Sequence, residues 1–187
     1  MIHKLLKTKN FIPNEFYDTF FDIDFNELFQ KGYRLILTDL DNTLITYDEV
    51  SASEKVMKKL NDLKDIGFEV IIISNNHQPR IEKFLEGTGF LGIGDAKKPL
   101  LKGIGKALDL ASREFFLDEI VIIGDQLMTD IYGANRYGAY SVLVNPIKRK
   151  TEKWYTKINR KIEVKMIEKI KKKEFKKYNE LNLSKRV

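Results

Sequence analysis

Asp39 and Asp41 stand one residue apart in LTDLDNTL, residues 37–44, directly after an apolar run. Two carboxylates at the end of a buried strand are costly unless a positive charge lies between them. One chemistry uses both. A carboxylate can attack phosphorus and become an acyl phosphate. A second, two residues on, can give a proton to the departing alcohol and later take one from water. An anionic substrate must then approach anionic residues, which requires a hard cation held by oxygen ligands, and Mg²⁺ suits that task. Two plainer readings compete. A calcium loop also begins D-x-D-N, but it needs glycine at its sixth place and glutamate at its twelfth, where this chain has Leu44 and Val50. The other is a turn with solvated carboxylates, common after strands.

Three further polar clusters supply the parts that such a reaction needs: SNN (74–76), KKP (97–99) and GDQLMTD (124–130). Ser74 offers a hydroxyl and Asn75 an amide. Lys98, followed by Pro99, is a fixed positive charge able to neutralise a phosphoryl oxygen. Asp125 could complete a metal shell, and Asp130 could hold a metal-bound water or orient Lys98. Singly each is weak: Ser74 reads equally well as a strand-end cap and Lys98 as a solvated side chain. Their common placement at strand ends is the stronger signal.

The elements that must position them alternate from about Tyr33 onward. YRLILTD, FEVIIIS, EIVIIGD and YSVLVNP read as buried strands, and GTGFLGIGDAKKP as a loop with room for one short strand. Between them, helical patterns run from a capping box at Ser51 and Glu54 to a stop at Gly67, from Pro79 through Phe84 and Leu85, from Leu100 to Leu110, and through TDIYGANRYG. Continuous apolar strands separated by helices imply a three-layer, Rossmann-like α/β fold with a mainly parallel central sheet. Ligands in such sheets bind beyond the carboxyl ends of the strands. Residues 11–33 interleave aromatics with acids (Phe16, Phe20, Phe25, Phe29, Tyr33) and read as a helical segment packing on the sheet. After Pro146, Trp154, Ile158, Ile162, Met166 and Ile170 recur every fourth residue among lysines, predicting a long amphipathic helix. The organisation expected is an aromatic-rich segment (1–32), a core (33–147) and a basic helical tail (148–187).

DLDNTL, SNN, KP and GDQLMTD resemble the four motifs of the haloacid-dehalogenase-like (HAD) phosphohydrolases. They are most similar to the subclass IIIA phosphatases of the YqeG family, related to phosphatidylglycerophosphate phosphatases. The motifs span residues 33–147, and FIPNEF and INRKIE in the flanks also look family-like. The resemblance implies Asp39 as nucleophile and Mg²⁺ ligand, and Asp41 as general acid and base, with its backbone carbonyl on the metal. It implies Ser74 as a phosphoryl-binding hydroxyl, Lys98 as the charge that stabilises the phosphorylated intermediate, Asp125 as a further metal ligand and Asp130 as its support. Asn42, Thr43, Asn75 and Lys98 are the expected substrate-binding residues. An acid at Asp41 marks phosphomonoester hydrolysis, since relatives with other reactions commonly lack it.

Composition sets outer bounds. The chain has 187 residues, 43% hydrophobic and 32% charged, enough for one domain with a core. It has no cysteine and only two histidines, His3 and His77, which excludes disulfides, thiolate chemistry and a multi-histidine metal site. His77, just past SNN, reads as an exposed loop residue. KGIGKAL and GIGDAKK lack the phosphate-loop pattern, so no nucleotide cofactor is expected. No apolar stretch reaches the roughly 18 residues of a membrane span, and MIHKLLKTKNFIPNEF lacks the apolar region of a signal peptide. A cytoplasmic protein is expected, peripheral on the inner face of the membrane if its tail docks there.

Residues 148–187 hold 16 Lys and Arg against 5 Asp and Glu, while the first 147 carry a net charge of −5. Such a tail suits an anionic lipid surface, at about 1 kcal/mol for each basic residue, or an RNA or ribosomal partner with steep salt dependence. Only nine residues, 42–50, separate Asp41 from the next helix, and Ser74 and Lys98 are 24 apart, so no cap domain fits either gap. The site is therefore expected to be open and its substrate to be large. Phosphatidylglycerophosphate is the leading candidate. An RNA-associated assembly protein and a soluble phosphatase of a protein or small ester are the alternatives.

Overall fold

The computed structural model describes residues 7–186; His3 and the first residues of the N-terminal segment lie outside them. Six strands form one sheet: β1 (Glu15–Tyr17), β2 (Leu35–Thr38), β3 (Glu69–Ile73), β4 (Leu91–Ile93), β5 (Ile120–Gly124) and β6 (Tyr140–Val144). Their order is β1-β6-β5-β2-β3-β4, and every pairing is parallel. The α/β architecture expected from the strand runs is thus present.

The period of two along each strand divides the core. Ile36, Val70, Ile72, Val121 and Ile123 face one side. They pack against α1 (Phe25–Gln30), α2 (Glu54–Ile66) and α3 (Gln78–Leu85), through Phe25, Leu28, Leu60, Leu63, Ile81 and Phe84. Leu35, Leu37, Ile71, Ile73, Ile120 and Ile122 face the other. There they meet α4 (Leu101–Leu108) and α5 (Tyr132–Tyr137) through Ile104, Ala107 and Ala134. Each such side chain contributes about 1.5–3 kcal/mol when fully buried, which is why the pattern survives the cost of ordering the chain.

Two local expectations are corrected. The N-cap of α2 is Ser53, whose side chain accepts from the Val56 N–H, not Ser51. Gly67 does end that helix, with φ +110, a conformation that favours glycine. Residues 11–33 are not one helical segment. They hold β1, a short 3₁₀ turn at Phe20–Asp22 and the two-turn α1, because β1 adds to the edge of the sheet beside β6. Phe20 and Phe25 nevertheless enter the core.

The tail forms α6 (Trp154–Lys173) and α7 (Phe175–Glu180). Its apolar stripe splits. Met166 and Ile170 are buried with Ile167 against Phe11, Leu127, Ile131 and Leu143, whereas Trp154 and Ile158 are 73% and 47% exposed. The buried face of the first half of α6 is polar instead: Thr156, Arg160 and Glu163. No helix among the described residues is long and apolar enough to cross a membrane.

Candidate active site

The four clusters meet at the carboxyl ends of β2, β3 and β5. Asp39 directly follows β2, and its N–H donates to the Ile123 carbonyl at 2.8 Å, which carries the sheet one residue further. Asn42 then takes φ +67, a left-handed conformation that asparagine tolerates, and its N–H closes the turn on the Ile45 carbonyl at 2.6 Å. Lys98 is anchored through its backbone by Asn75, whose amide oxygen accepts from the Lys98 N–H at 2.6 Å and whose Nδ2 donates to the Lys98 carbonyl at 3.0 Å. Lys98 Nζ donates to the Ile73 carbonyl at 2.8 Å and reaches Asp39 Oδ1 at 2.5 Å and Asp130 Oδ1 at 2.7 Å. The contact with Asp130 is an ion pair rather than a well-directed hydrogen bond. Asp130 approaches β5 where Gly124 has no side chain; a Cβ there would fall on the Asp130 carboxyl group.

Carboxylate oxygens of Asp39, Asp125 and Asp130 come within 4.8 Å of one another. All three residues are buried. The Asp41 carboxylate points to different partners: Arg80 Nη2 at 2.6 Å on Oδ1, with Asn76 Nδ2 at 3.1 Å and Ser74 Oγ at 3.4 Å on Oδ2. Thr43 Oγ1 stands 3.5 Å from Asp39 Oδ2. Asn42 does not join the cluster. It is fully buried, its Nδ2 donates to Glu152 Oε1 at 3.3 Å, and its Oδ1 accepts from the Lys148 N–H at 3.2 Å. Its polar atoms secure the turn to the tail, and a part in substrate binding stays a proposal for this residue. Asn75 lines the cavity, but its amide is spent on Lys98.

Sequence reading missed the basic residues that hold these acids. Arg80 comes from α3 and Arg160 from α6. Arg160 Nη2 pairs with Asp125 Oδ2, and its Nη1 donates to the Asp125 carbonyl at 2.6 Å. Arg186 also reaches that carbonyl and pairs with Glu163 Oε1 at 2.6 Å. Arg160 lies within INRKIE, but nothing in the sequence gives any of the three arginines a role beside the acids.

The expected open site is also corrected. A cavity of about 40 Å³ is lined by Asp39, Asp41, Ser74 and Lys98 below and by Tyr155, Thr156 and Asn159 of α6 above. Tyr47 Oη lies 3.3 Å from Thr156 Oγ1, and Lys153 Nζ donates to Asn76 Oδ1 at 2.8 Å, so the tail is fastened over the strand ends. No domain is inserted, but a helix from the C-terminal side performs the covering. A larger groove, about 460 Å³, opens at the amino ends of the strands beside Phe68, Phe90 and Arg113, and none of the sequence-predicted site residues lines it.

The charges are unbalanced. Among the described residues, Asp39, Asp41, Asp125, Asp130, Glu152 and Glu163 pair with Lys98, Arg80, Arg160 and Arg186, a formal excess of two negative charges. Burial pushes the Asp39 carboxyl well above its ordinary value, with Lys98 opposing. Burial likewise raises Asp125 to about 6 against the pull of Arg160. Burial works against the Lys98 ammonium, but Asp130 and Asp39 outweigh it and hold its pKa above the lysine norm. Asp125 Oδ1 is buried with no hydrogen-bond partner. Converging carboxylate oxygens, an unpartnered lone pair and an excess of two negative charges fit a hard divalent cation.

A parallel sheet with carboxylates gathered at its carboxyl ends defines a Rossmann-like α/β protein with an acidic site, and comparison with known proteins supplies the family. Residues 93–157 match the HAD-hydrolase-like family model, and residues 1–81 match that of mitochondrial PGP phosphatase. The chain is 36% identical to "Probable phosphatase YqeG" of Bacillus subtilis (strain 168) over 167 residues, covering 88% of this chain and 94% of that protein. It is 26% identical over 155 residues to "Phosphatidylglycerophosphate phosphatase 1, chloroplastic/mitochondrial" of Arabidopsis thaliana, covering 78% of this chain but only 44% of the plant protein. Among solved structures, "the putative HAD-hydrolase YfnB from Bacillus subtilis bound to magnesium" aligns with TM-score 0.48 at 15% identity, over 59% of this chain and 88% of that one. The chain belongs to the YqeG family of HAD-like phosphatases. It is a phosphatase, and its substrate is phosphorylated.

Proposed function

We propose that the chain is a Mg²⁺-dependent phosphomonoester hydrolase acting through an aspartyl phosphate on Asp39, with phosphatidylglycerophosphate as substrate. The observation that carries the reaction is the division of labour between the two aspartates of one turn. Asp39 converges with Asp125 and Asp130, while Asp41 turns to Arg80, Asn76 and Ser74. An Asp39 oxygen attacks phosphorus, an acyl phosphate forms and the bond to the alcohol oxygen breaks. Protonated Asp41 gives that oxygen its proton. The resulting Asp41 carboxylate then takes a proton from water, whose oxygen attacks the same phosphorus and releases phosphate, restoring Asp39. Lys98 supplies a positive charge beside the phosphoryl oxygens, and the Ser74 hydroxyl donates to one of them. Asp39, Asp125, Asp130 and the Asp41 carbonyl would hold Mg²⁺, which when bound neutralises charge on the phosphoryl group.

The lipid assignment draws on the plant relative's name, on the PGP phosphatase family match and on the tail. Trp154 and Ile158 project from α6 beside the cavity, with Lys157 and Lys161 exposed between and after them. An apolar edge flanked by lysines suits the boundary of an anionic leaflet. The test is release of inorganic phosphate from phosphatidylglycerophosphate in mixed micelles, with and without Mg²⁺. We expect Mg²⁺-dependent turnover that Asp39→Asn lowers by about a thousandfold or more. Efficient hydrolysis of soluble esters with none of the lipid would remove the substrate assignment. Full activity of Asp39→Asn would remove the mechanism.

A further inference from the structure

Every nitrogen of the Arg160 guanidinium has an acidic or carbonyl partner. Nη2 pairs with Asp125 Oδ2, and Nη1 donates to the Asp125 carbonyl at 2.6 Å. From behind, Glu152 Oε1 accepts from Nε at 2.9 Å and from Nη2 at 2.7 Å, while Glu163 Oε2 stands 3.3 Å from Nη1. Arg186 braces Glu163 in turn and donates to the Val144 carbonyl at 3.1 Å. Asp125 therefore has one oxygen fully engaged, while its Oδ1 is buried without a hydrogen-bond partner.

We propose that Arg160 is a positioning residue for the divalent-cation site. It fixes Asp125 by Oδ2 and by its carbonyl, and leaves Oδ1 as the oxygen that serves the cation together with Asp39 and Asp130. The inference rests on the cation-dependent reading above and assigns the C-terminal tail a part in building the site. A planar fork places donors on separate nitrogens at a fixed spacing and so meets the carboxylate and the carbonyl of Asp125 together; an ammonium carries its three donors on one nitrogen and does not reproduce that spacing. The positive charge of Arg160 by itself opposes a cation, so its contribution is geometric, and the informative variant keeps the charge.

The experiment is calorimetric titration of Mg²⁺ alone into cation-free full-length protein, paired with the Mg²⁺-induced rise in melting temperature. Partners behind a metal ligand typically contribute 10–100-fold in affinity, and Arg160→Lys should weaken Mg²⁺ binding by about that factor. Met166→Ala, which loosens the same helix where it packs on apolar residues, should lower the melting temperature of the cation-free protein and leave Mg²⁺ affinity unchanged. If Arg160→Lys does not fold, Glu152→Asp withdraws the carboxylate behind the guanidinium at constant charge and is read in the same way. Unchanged affinity in the charge-conserving variant overturns the proposal, as does an equal loss in Met166→Ala. Absence of Mg²⁺ binding by the unaltered chain overturns the cation-dependent reading and this inference together.

Discussion

Lys98 Nζ touches two buried carboxylates, Asp39 and Asp130, and a backbone carbonyl. Removing one member of such a group strands the others, at a cost of about 3–5 kcal/mol. We therefore expect Lys98→Met to lower the unfolding free energy of cation-free protein by about that amount in urea titrations, with part regained in saturating Mg²⁺. Arg80 secures one oxygen of Asp41, and Asn76 and Ser74 secure the other. Arg80→Gln leaves a less constrained acid, and we expect kcat to fall about tenfold with little change in KM. The acids, Ser74 and Lys98 were legible in the sequence because each ends or follows an apolar run, and a parallel sheet brings such ends together. Their basic partners were not. Arg80, Arg160 and Arg186 lie where local sequence looks like ordinary surface, and only docking of those segments buries them. Asn42 is the complementary case: its place in the motif is beside the chemistry, but its amide faces the tail.

Elements differ in how far their periodicity can be trusted. Strands β2, β3, β5 and β6 were legible because burial on both faces leaves an unbroken apolar run. β1 was not, since three residues with half-buried side chains on a sheet edge carry no such signal. α6 was found as a helix, but its inward face was misassigned. A repeat of four drifts around a 3.6-residue helix, and the first half of α6 buries charge against charge where an apolar stripe was expected. The second half does pack on apolar residues. Met166, Ile167, Ile170 and Leu183 at about 1.5–3 kcal/mol each rival the roughly 5–15 kcal/mol of a whole domain. A chain cut after Pro146 should therefore lose its cooperative thermal transition and all phosphatase activity together, as circular dichroism and phosphate release would show. Gly124→Ala would set a methyl group against the Asp130 carboxyl carbon. Overpacking of that kind costs about 1–3 kcal/mol, measurable by urea denaturation.

At the scale of the molecule, charge is segregated, and Trp154, Ile158 and Ile147 are exposed near the lysines of the tail. We expect the protein to sediment with phosphatidylglycerol vesicles and not with phosphatidylcholine vesicles. Binding should weaken as salt shortens the Debye length from about 10 Å at 0.1 M to about 3 Å at 1 M. Trp154→Ala should reduce partitioning about tenfold, the loss of one buried aromatic. The contact between Asp125 and Arg186 joins positions 61 residues apart in the chain. During translation the acid emerges first, and at about 5–20 residues per second its last counter-ion follows roughly 3–12 s later. When that interval ends Lys98, Arg80 and Arg160 have already been made, and the contact of Arg186 with the Asp125 carbonyl is the last to become available. Phosphate release is therefore expected to begin only after the late-made arm has folded back, which assaying stalled nascent chains with and without that arm would show.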